Sequence, residues 1–252
     1  MTERSDSTHA HETPHKRVER EFERLTLNQR IQHFILIFSF TLLVVTGMPI
    51  SYADWPVSRF LVAAMGGVTF RAFLHRIGAL MLIGICVYHL FYVMFSKRGR
   101  DDLGELTPGL KDATDLIQML KYYFGLAETK PRFGRYNYIE KFEYLAMGWG
   151  SAVMIVTGFV LWFEDQALMI LPKWMWDVAN IVHSYEAVLA FLAIVIWHLY
   201  HVHLNPESFP MSRIFLTGRI TEHELKELHP LEYEKIMAEE RRGEDLGGGD
   251  AM

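Results

Sequence analysis

Four long apolar stretches constrain the fold more than any other feature of this sequence. They occupy about 33–51, 74–95, 142–163 and 179–204, and each approaches the roughly 20 residues that a helix needs to cross a bilayer. Inside lipid, every backbone N–H and C=O must be paired within the protein, which leaves only helices or a closed barrel. The stretches therefore predict an all-α fold, an integral membrane four-helix bundle.

The distribution of lysine and arginine predicts how the bundle is oriented. Residues 1–32 hold six of them, the loop 96–141 holds nine and the chain after 204 holds six, whereas 52–73 holds two and 164–178 holds one. Because these residues accumulate on the cytoplasmic side, we expect both termini and the central loop in the cytoplasm. The expected location is a bacterial inner (cytoplasmic) membrane, which the chain crosses several times.

The segments outside the spans complete the predicted domain organisation. We expect a cytoplasmic extension over 1–24, a membrane domain over 25–237 and a disordered tail over 238–252. Apolar residues at helical spacing within 111–126 predict an amphipathic helix, lying either on the inner membrane surface or against the protein itself. No internal repeat is apparent.

Composition excludes several functions. The single cysteine, Cys86, excludes an internal disulfide framework and a cysteine-ligated iron–sulfur cluster within this chain. No C-x-x-C-H sequence is present, so covalently attached haem is not expected. The net charge of −5 gives no basic surface for nucleic acid.

Histidines recur at matched depths in the second and fourth spans, which run in the same direction. His89 lies 14 residues after His75, roughly 21 Å deeper and within about 40° of the same helix face. His198 lies 15 residues after His183, roughly 22 Å deeper and about 60° around the helix. Ionisable residues inside a membrane are candidates for function by default.

Paired histidines on facing helices suit b-type haem. Its iron takes two axial ligands, and two histidines are one common way to supply them. Two such sites, one near each membrane face, predict a relay that carries electrons across the bilayer. Arg71 and Arg76 flank the outer site, where they are candidates to meet haem propionates.

Three further histidines stand at the inner ends of the spans. His33 lies where the first span begins, and His201 and His203 lie where the fourth span ends. Each is a candidate ligand, yet an interfacial histidine is also solvated readily by lipid headgroups. From residue spacing alone, their roles stay open.

Several short motifs, in order, resemble a known family. The chain is similar to the membrane-embedded di-haem cytochrome b (gamma) subunits of respiratory formate dehydrogenases and nickel–iron hydrogenases. The matching segments are LNQRIQHF, FLHRIGA, IVHSYEA, WHLYHVHLNP and the tail FLTGRITEHELKELHPLEYEKI, and together they cover roughly residues 25–237.

The resemblance implies the ligand set and the partners. It implies two haem b groups, the outer one held by His75 and His183 and the inner one by His198 with His33. His89 has no counterpart in the formate dehydrogenase pattern, although its depth matches His198 better, so the inner pair is either His89–His198 or His33–His198. In the first case His33 is free to pair with His203 or His201, and a third haem becomes an alternative.

The resemblance also implies how electrons enter and leave. Menaquinone or ubiquinone would exchange near the inner haem, among Arg30, His33, His89 and the end of the fourth span. Other subunits of a membrane oxidoreductase complex, an iron–sulfur or multihaem cytochrome protein, would be the redox partner. Whether the chain is an enzyme in its own right is left open.

Two other functions compete with electron transfer. HLYHVH, at 198–203, superficially resembles a histidine box of a membrane di-iron hydroxylase or desaturase. Those enzymes gather their histidines on one membrane face, whereas His75 and His183 lie on the other. A histidine-lined metal or proton transporter is the second alternative, but such proteins tend to carry carboxylates at mid-depth.

Overall fold

The computed structural model describes residues 19–206 and 208–247, and most of them are helical. In chain order the elements are β1 (Glu21–Glu23), α1 (Leu27–Ser51), α2 (Pro56–Ala64), α3 (Val68–Phe95), α4 (Lys97–Leu106), α5 (Leu110–Tyr123), α6 (Tyr138–Trp162), α7 (Glu164–Ile170), α8 (Lys173–Leu192, continued by π-helical turns to Leu204), α9 (Ile214–Thr217), β2 (Arg219–Thr221), α10 (Glu222–Leu228) and α11 (Pro230–Gly247). The prediction of an all-α membrane bundle is confirmed.

The four predicted spans correspond to α1, α3, α6 and α8 with its continuation, each long and apolar enough to cross a membrane. Every one begins four to six residues before its predicted start. In α1 and α6 the reason is a polar cap outside the apolar run. Thr26 and Asn137 cap these two helices, and each exchanges hydrogen bonds with the residue three positions later.

Two helix pairs form the bundle. α1 packs along α3 and α6 packs along α8, while α1 also contacts α8 and α3 contacts α6. The first pair is close because Gly78 faces α1, where an added Cβ would lie 3.1 Å from Leu43. Large apolar side chains outside these contacts, such as Phe38, Phe91 and Trp149, are exposed, which suits a bundle whose outer surface faces lipid.

The last turns of the fourth span depart from α-helical geometry. Ala193–His198 and Tyr200–Leu204 form π-helical turns, in which an N–H reaches the carbonyl five residues back. The Asn205 N–H closes the last of these turns on the Tyr200 carbonyl at 2.8 Å. Since these turns are wider, a constant 100° per residue does not give the true angle between His183 and His198.

The described segments before α1 and after α8 meet the central loop at one end of the bundle in a compact assembly, which we call the cap. Its strands β1 and β2 pair antiparallel, with Phe22 opposite Ile220. Gly218 precedes β2 with a φ of 75°, and its carbonyl accepts from the Arg24 and Leu25 N–H groups. A Cβ at this glycine would lie 2.4 Å from the Leu25 carbonyl oxygen, so a larger residue does not fit.

A buried ion cluster holds the cap together. The Arg24 guanidinium donates to Glu232 at 2.5 Å, and Arg135 donates to the other oxygen of Glu232 at 2.8 Å and to Asp102 at 3.2 Å. His229 lies against Arg24, and its Nδ1 donates to the Gly134 carbonyl at 2.8 Å. Burial, and then the charge of Arg24, lowers the pKa of His229.

Three segments outside the spans can be compared with the sequence-based expectations. The amphipathic helix appears as α5, with Ile117 and Leu120 on an exposed apolar face, and its contact with the membrane surface stays a prediction. Residues 1–18 of the expected extension lie outside the described residues. The expected disordered tail differs: α11 runs to Gly247, and 248–252 lie outside the described residues.

Candidate haem sites

His75 and His183, here the outer pair, face each other across the bundle. His75 lies in α3 and His183 in α8, and their ring centroids are 6.5 Å apart with an angle of 71° between the planes. Both side chains are half-buried. The structure therefore brings together the two residues that the sequence predicted as outer ligands.

A threonine holds each ring of the outer pair. Thr46 Oγ1, on α1, lies 2.9 Å from His75 Nδ1, and Thr157 Oγ1, on α6, lies 2.9 Å from His183 Nδ1. A glycine follows each threonine: a Cβ at Gly47 would lie 3.0 Å from the His75 ring, and one at Gly158 would lie 3.3 Å from the His183 ring. The far nitrogen of each ring is thus left for another partner.

Two arginines lie beside the outer pair. Arg71 is buried one turn before His75, donates to the Thr46 carbonyl at 2.6 Å, and keeps its Nε without a protein partner. Arg76 is exposed, and its guanidinium lies 5.3 Å from the Trp162 ring centre. The unpartnered Nε of Arg71 is a donor that a haem propionate would satisfy.

His33 and His198, here the inner pair, meet at the cap end of the bundle. Their ring centroids are 6.4 Å apart, with an angle of 66° between the planes. His198 Nδ1 donates to the Glu143 carboxylate at 2.9 Å. His33 Nδ1 is buried without a protein partner, and Phe215 of α9 contacts the His33 ring edge-on.

His89 does not pair with His198 in this structure. Its Nδ1 donates to Gln32 Oε1 at 2.8 Å, and its Nε2 accepts from the Tyr144 hydroxyl at 3.0 Å. Gln32 in turn donates to Asn28 at 2.9 Å. Both ring nitrogens are occupied, so His89 belongs to a hydrogen-bond chain that crosses from α1 through α3 to α6.

The remaining two histidines of HLYHVH, at 198–203, take different positions. His201 donates from Nδ1 to the Trp197 carbonyl at 2.9 Å, one turn back on its own helix. His203 packs its ring on Phe215 at 5.6 Å, and its Nδ1 is buried without a protein partner. Among the described residues no group of three or more histidine, cysteine or carboxylate side chains is arranged to hold a metal ion.

The spacing of both pairs fits a six-coordinate iron. Two imidazoles on opposite sides of one metal ion, each with its nitrogen at about 2.0–2.1 Å, place their ring centroids about 6–6.5 Å apart. The observed separations are 6.5 Å and 6.4 Å. The residues present therefore fit a bis-histidine haem at each position.

Sequence reasoning missed the side chains that hold the rings. A short signal was present, since V-T-G occurs at the end of the first span and again in the third, where it includes Thr46 and Thr157. Glu143 lay at the edge of an apolar run and carried no comparable signal. Its contact with His198 depends on how α6 and α8 pack, which spacing along one chain does not reveal.

Comparison with known proteins identifies the family. Over 175 residues the chain is 27% identical to a protein of Methanosarcina mazei named F420 non-reducing hydrogenase II cytochrome subunit. The similar region covers 62% of this chain and 61% of that protein. The sequence model of prokaryotic cytochrome b561 matches residues 24–209, which include all four spans and both histidine pairs. The chain therefore belongs to the prokaryotic cytochrome b561 family, as a multi-pass membrane protein.

Proposed function

We propose that this chain carries electrons across the membrane between a quinone pool and a partner redox subunit, through two haem b groups. The observation that supports this best is the repeated spacing of the histidine pairs, with ring centroids 6.5 Å apart in the outer pair and 6.4 Å in the inner pair. α8 supplies one histidine to each pair, 15 residues apart. The two sites therefore lie at different depths on one helix.

Within this proposal each side chain has a defined task. His75 and His183 bind the outer haem iron, and His33 and His198 bind the inner one. Haem b, when bound, supplies reversible one-electron chemistry. Arg71 donates to the haem propionates at the outer site, and the exposed Arg76 donates to them from the surface.

His89 and His203 are not ligands in this proposal. Both nitrogens of His89 already have protein partners, and His33 is paired with His198 rather than with His203. Within residues 19–206 and 208–247, two haems therefore use the four histidines that face each other in pairs. His203 shares the aromatic contact of Phe215 with His33, which places it beside the inner site.

A groove between α1 and α3 supports a quinone site near the inner pair. It measures about 630 Å³, and its walls are mostly apolar, with Asn28, Gln32 and Tyr88 as its polar groups. Apolar pockets with a few placed polar groups are typical of small-molecule sites. Gln32 adjoins His33 in sequence, so a quinone ring bound there, of the menaquinone or ubiquinone class, would lie close to the inner haem.

The partner is proposed as a membrane oxidoreductase subunit with an iron–sulfur or multihaem centre. The related Methanosarcina mazei protein is named as a hydrogenase cytochrome subunit, and this chain would have the same kind of neighbour. The lysine and arginine distribution supports a cytoplasmic position for the cap and for both termini.

A reduced-minus-oxidised spectrum of the purified protein tests the proposal. We expect a haem b band and, by pyridine haemochrome assay, two haems per chain. A quinone analogue should shift the band of the inner haem and leave the outer one unchanged. Absence of a b-type band would contradict the proposal and reopen the di-iron and transporter alternatives, for which iron and metal-uptake assays would then be informative.

A further inference from the structure

The outer pair is built from one side-chain arrangement that occurs twice, and this local repeat fixes more than the position of the two rings. Each half consists of a threonine, a glycine and a histidine, with the threonine and glycine on one helix and the histidine on the helix packed beside it. The halves are Thr46, Gly47 and His75 on α1 and α3, and Thr157, Gly158 and His183 on α6 and α8. In both halves the oxygen–nitrogen distance is 2.9 Å.

From this repeat we infer that Thr46 and Thr157 are matched positioning residues, which hold both outer histidines in the Nδ1–H tautomer and set the electron density of their Nε2 atoms. The inference rests on the proposed function, because it assigns a purpose to the nitrogen that faces the iron.

The direction of each hydrogen bond follows from the proton count. A threonine hydroxyl has one proton to donate and lone pairs to accept. Thr46 Oγ1 lies 2.6 Å from the Leu42 carbonyl, and Thr157 Oγ1 lies 2.7 Å from the Val153 carbonyl. A carbonyl only accepts, so the hydroxyl proton points there and the oxygen accepts from the histidine. Nδ1 therefore carries the proton, and Nε2 holds the free lone pair.

Burial and close approach keep this arrangement in place. Thr46 is fully buried, so water does not compete for its hydroxyl. Gly47 and Gly158 admit the rings, because a Cβ at either position would lie 3.0 or 3.3 Å from the imidazole carbon. In both halves the backbone therefore leaves room for the imidazole ring in the observed orientation.

The effect on the iron follows from the acceptor. An oxygen that accepts from Nδ1–H raises the basicity of the ligand, and a more basic ligand favours ferric over ferrous iron. Partners of this kind change metal affinity by about 10-fold or more when removed. A tenfold loss that falls on the ferric form alone raises the reduction potential by about 59 mV for one electron.

The test replaces each threonine by valine and by serine. Thr46→Val and Thr157→Val keep the shape and remove the acceptor, whereas Thr46→Ser and Thr157→Ser keep it. Thr41→Val is the control, since Thr41 is exposed on the same helix. In a spectroelectrochemical titration we expect Thr46→Val and Thr157→Val each to raise the outer potential by about 59 mV, corresponding to the tenfold change. The serine variants and the control should titrate like the unmodified protein, and the inner potential should not move.

A second measurement separates this inference from the proposed function. Nitrogen-15 NMR of histidine-labelled, haem-free protein in liposomes reports the tautomer directly. We expect His75 and His183 as Nδ1–H forms, and a mixture of tautomers at His75 in Thr46→Val. If the unmodified protein binds no haem but shows these tautomers, the proposed function fails and the inferred hydrogen bonds stand. Valine variants with unchanged potentials and tautomers, or serine variants that behave like valine, would overturn the inference.

Discussion

The two histidine pairs have nearly the same spacing but are held in different ways. In the outer pair, both rings bond to threonine hydroxyls at 2.9 Å, and a glycine lies against each ring. In the inner pair, His198 bonds to a carboxylate, Glu143, and His33 Nδ1 is buried without a partner. The outer rings are held alike, by neutral hydroxyl groups, whereas the inner rings are held differently and one of them bonds to a carboxylate.

The difference follows from which parts of the chain build each site. The outer pair needs only the four spans, because its threonines, glycines and histidines all lie within them. The inner pair also depends on the cap: Phe215 of α9 contacts His33, and Arg30 donates to the Leu216 carbonyl at 2.5 Å. Changes in the cap should therefore affect the inner haem and leave the outer haem intact.

Removal of a ligand should have the largest effect. We expect His183→Ala to lose the outer haem alone and His198→Ala to lose the inner haem alone, so that each variant retains about one haem of two. The sites are separated along α8, and each iron needs both of its histidines. Haem per chain and the potentiometric waves measure this. His201→Ala should retain both haems, and loss of a haem there would contradict the inner pairing.

Disruption of the cap should have the second-largest effect. Glu232→Ala removes the carboxylate that Arg24 and Arg135 share, and removing one partner of a buried ion pair is expected to destabilise by about 3–5 kcal/mol. Protease sensitivity and denaturant unfolding of the purified protein report the loss, and haem analysis should show a weakened inner site with the outer site filled.

The matched control for the cap is Glu234→Ala. Glu234 pairs with Arg132 at the exposed surface, where an ion pair contributes about 0–1 kcal/mol. Equal destabilisation by both variants would show that the buried cluster does not hold the cap.

The charge at the inner site should produce a smaller, electronic effect. Glu143→Gln keeps an acceptor for His198 but removes the negative charge, so the ferric form should be about 10–100-fold less favoured, which is about 59–118 mV in the inner potential. Glu164→Gln, exposed in α7 at the other end of α6, is the control. A shift in the outer potential instead would reverse the assignment of the two waves.

The smallest expected effect is the dependence of the cap's stability on pH. Because the pKa of His229 is lowered by burial and by Arg24, its neutral form stabilises the cap fully above the ordinary histidine pKa of about 6.5. That stability declines as the pH falls below this value, since the unfolded chain then binds the proton more readily. Between about pH 7.5 and 5.5, the unmodified protein should lose a few degrees of Tm that His229→Gln does not lose. Identical pH profiles of the unmodified protein and His229→Gln would show that His229 does not cause the pH dependence of the cap's stability.

Residue spacing correctly brought His75 and His183 together but left the partner of His198 open. His75 and His183 were identifiable because both lie in regular α-helix near the same membrane face. For the inner site, depth along straight helices favoured His89 as the partner of His198. The structure gives His89 two other partners and turns His198 through π-helical geometry toward His33. A π-helical turn is not encoded in the apolar pattern, so counting at 100° per residue could not find it.

The sequence by itself determined the four membrane helices and the histidines they carry, because apolar length and charge distribution act locally along the chain. Only the tertiary structure decided which histidines face each other and which groups their Nδ1 atoms contact. Those choices depend on how α1 packs on α3 and α6 on α8, and on how the returning tail brings Phe215 to His33. Contacts of this kind join residues far apart in the chain, and their hydrogen bonds form only when close packing places donor and acceptor within about 3 Å.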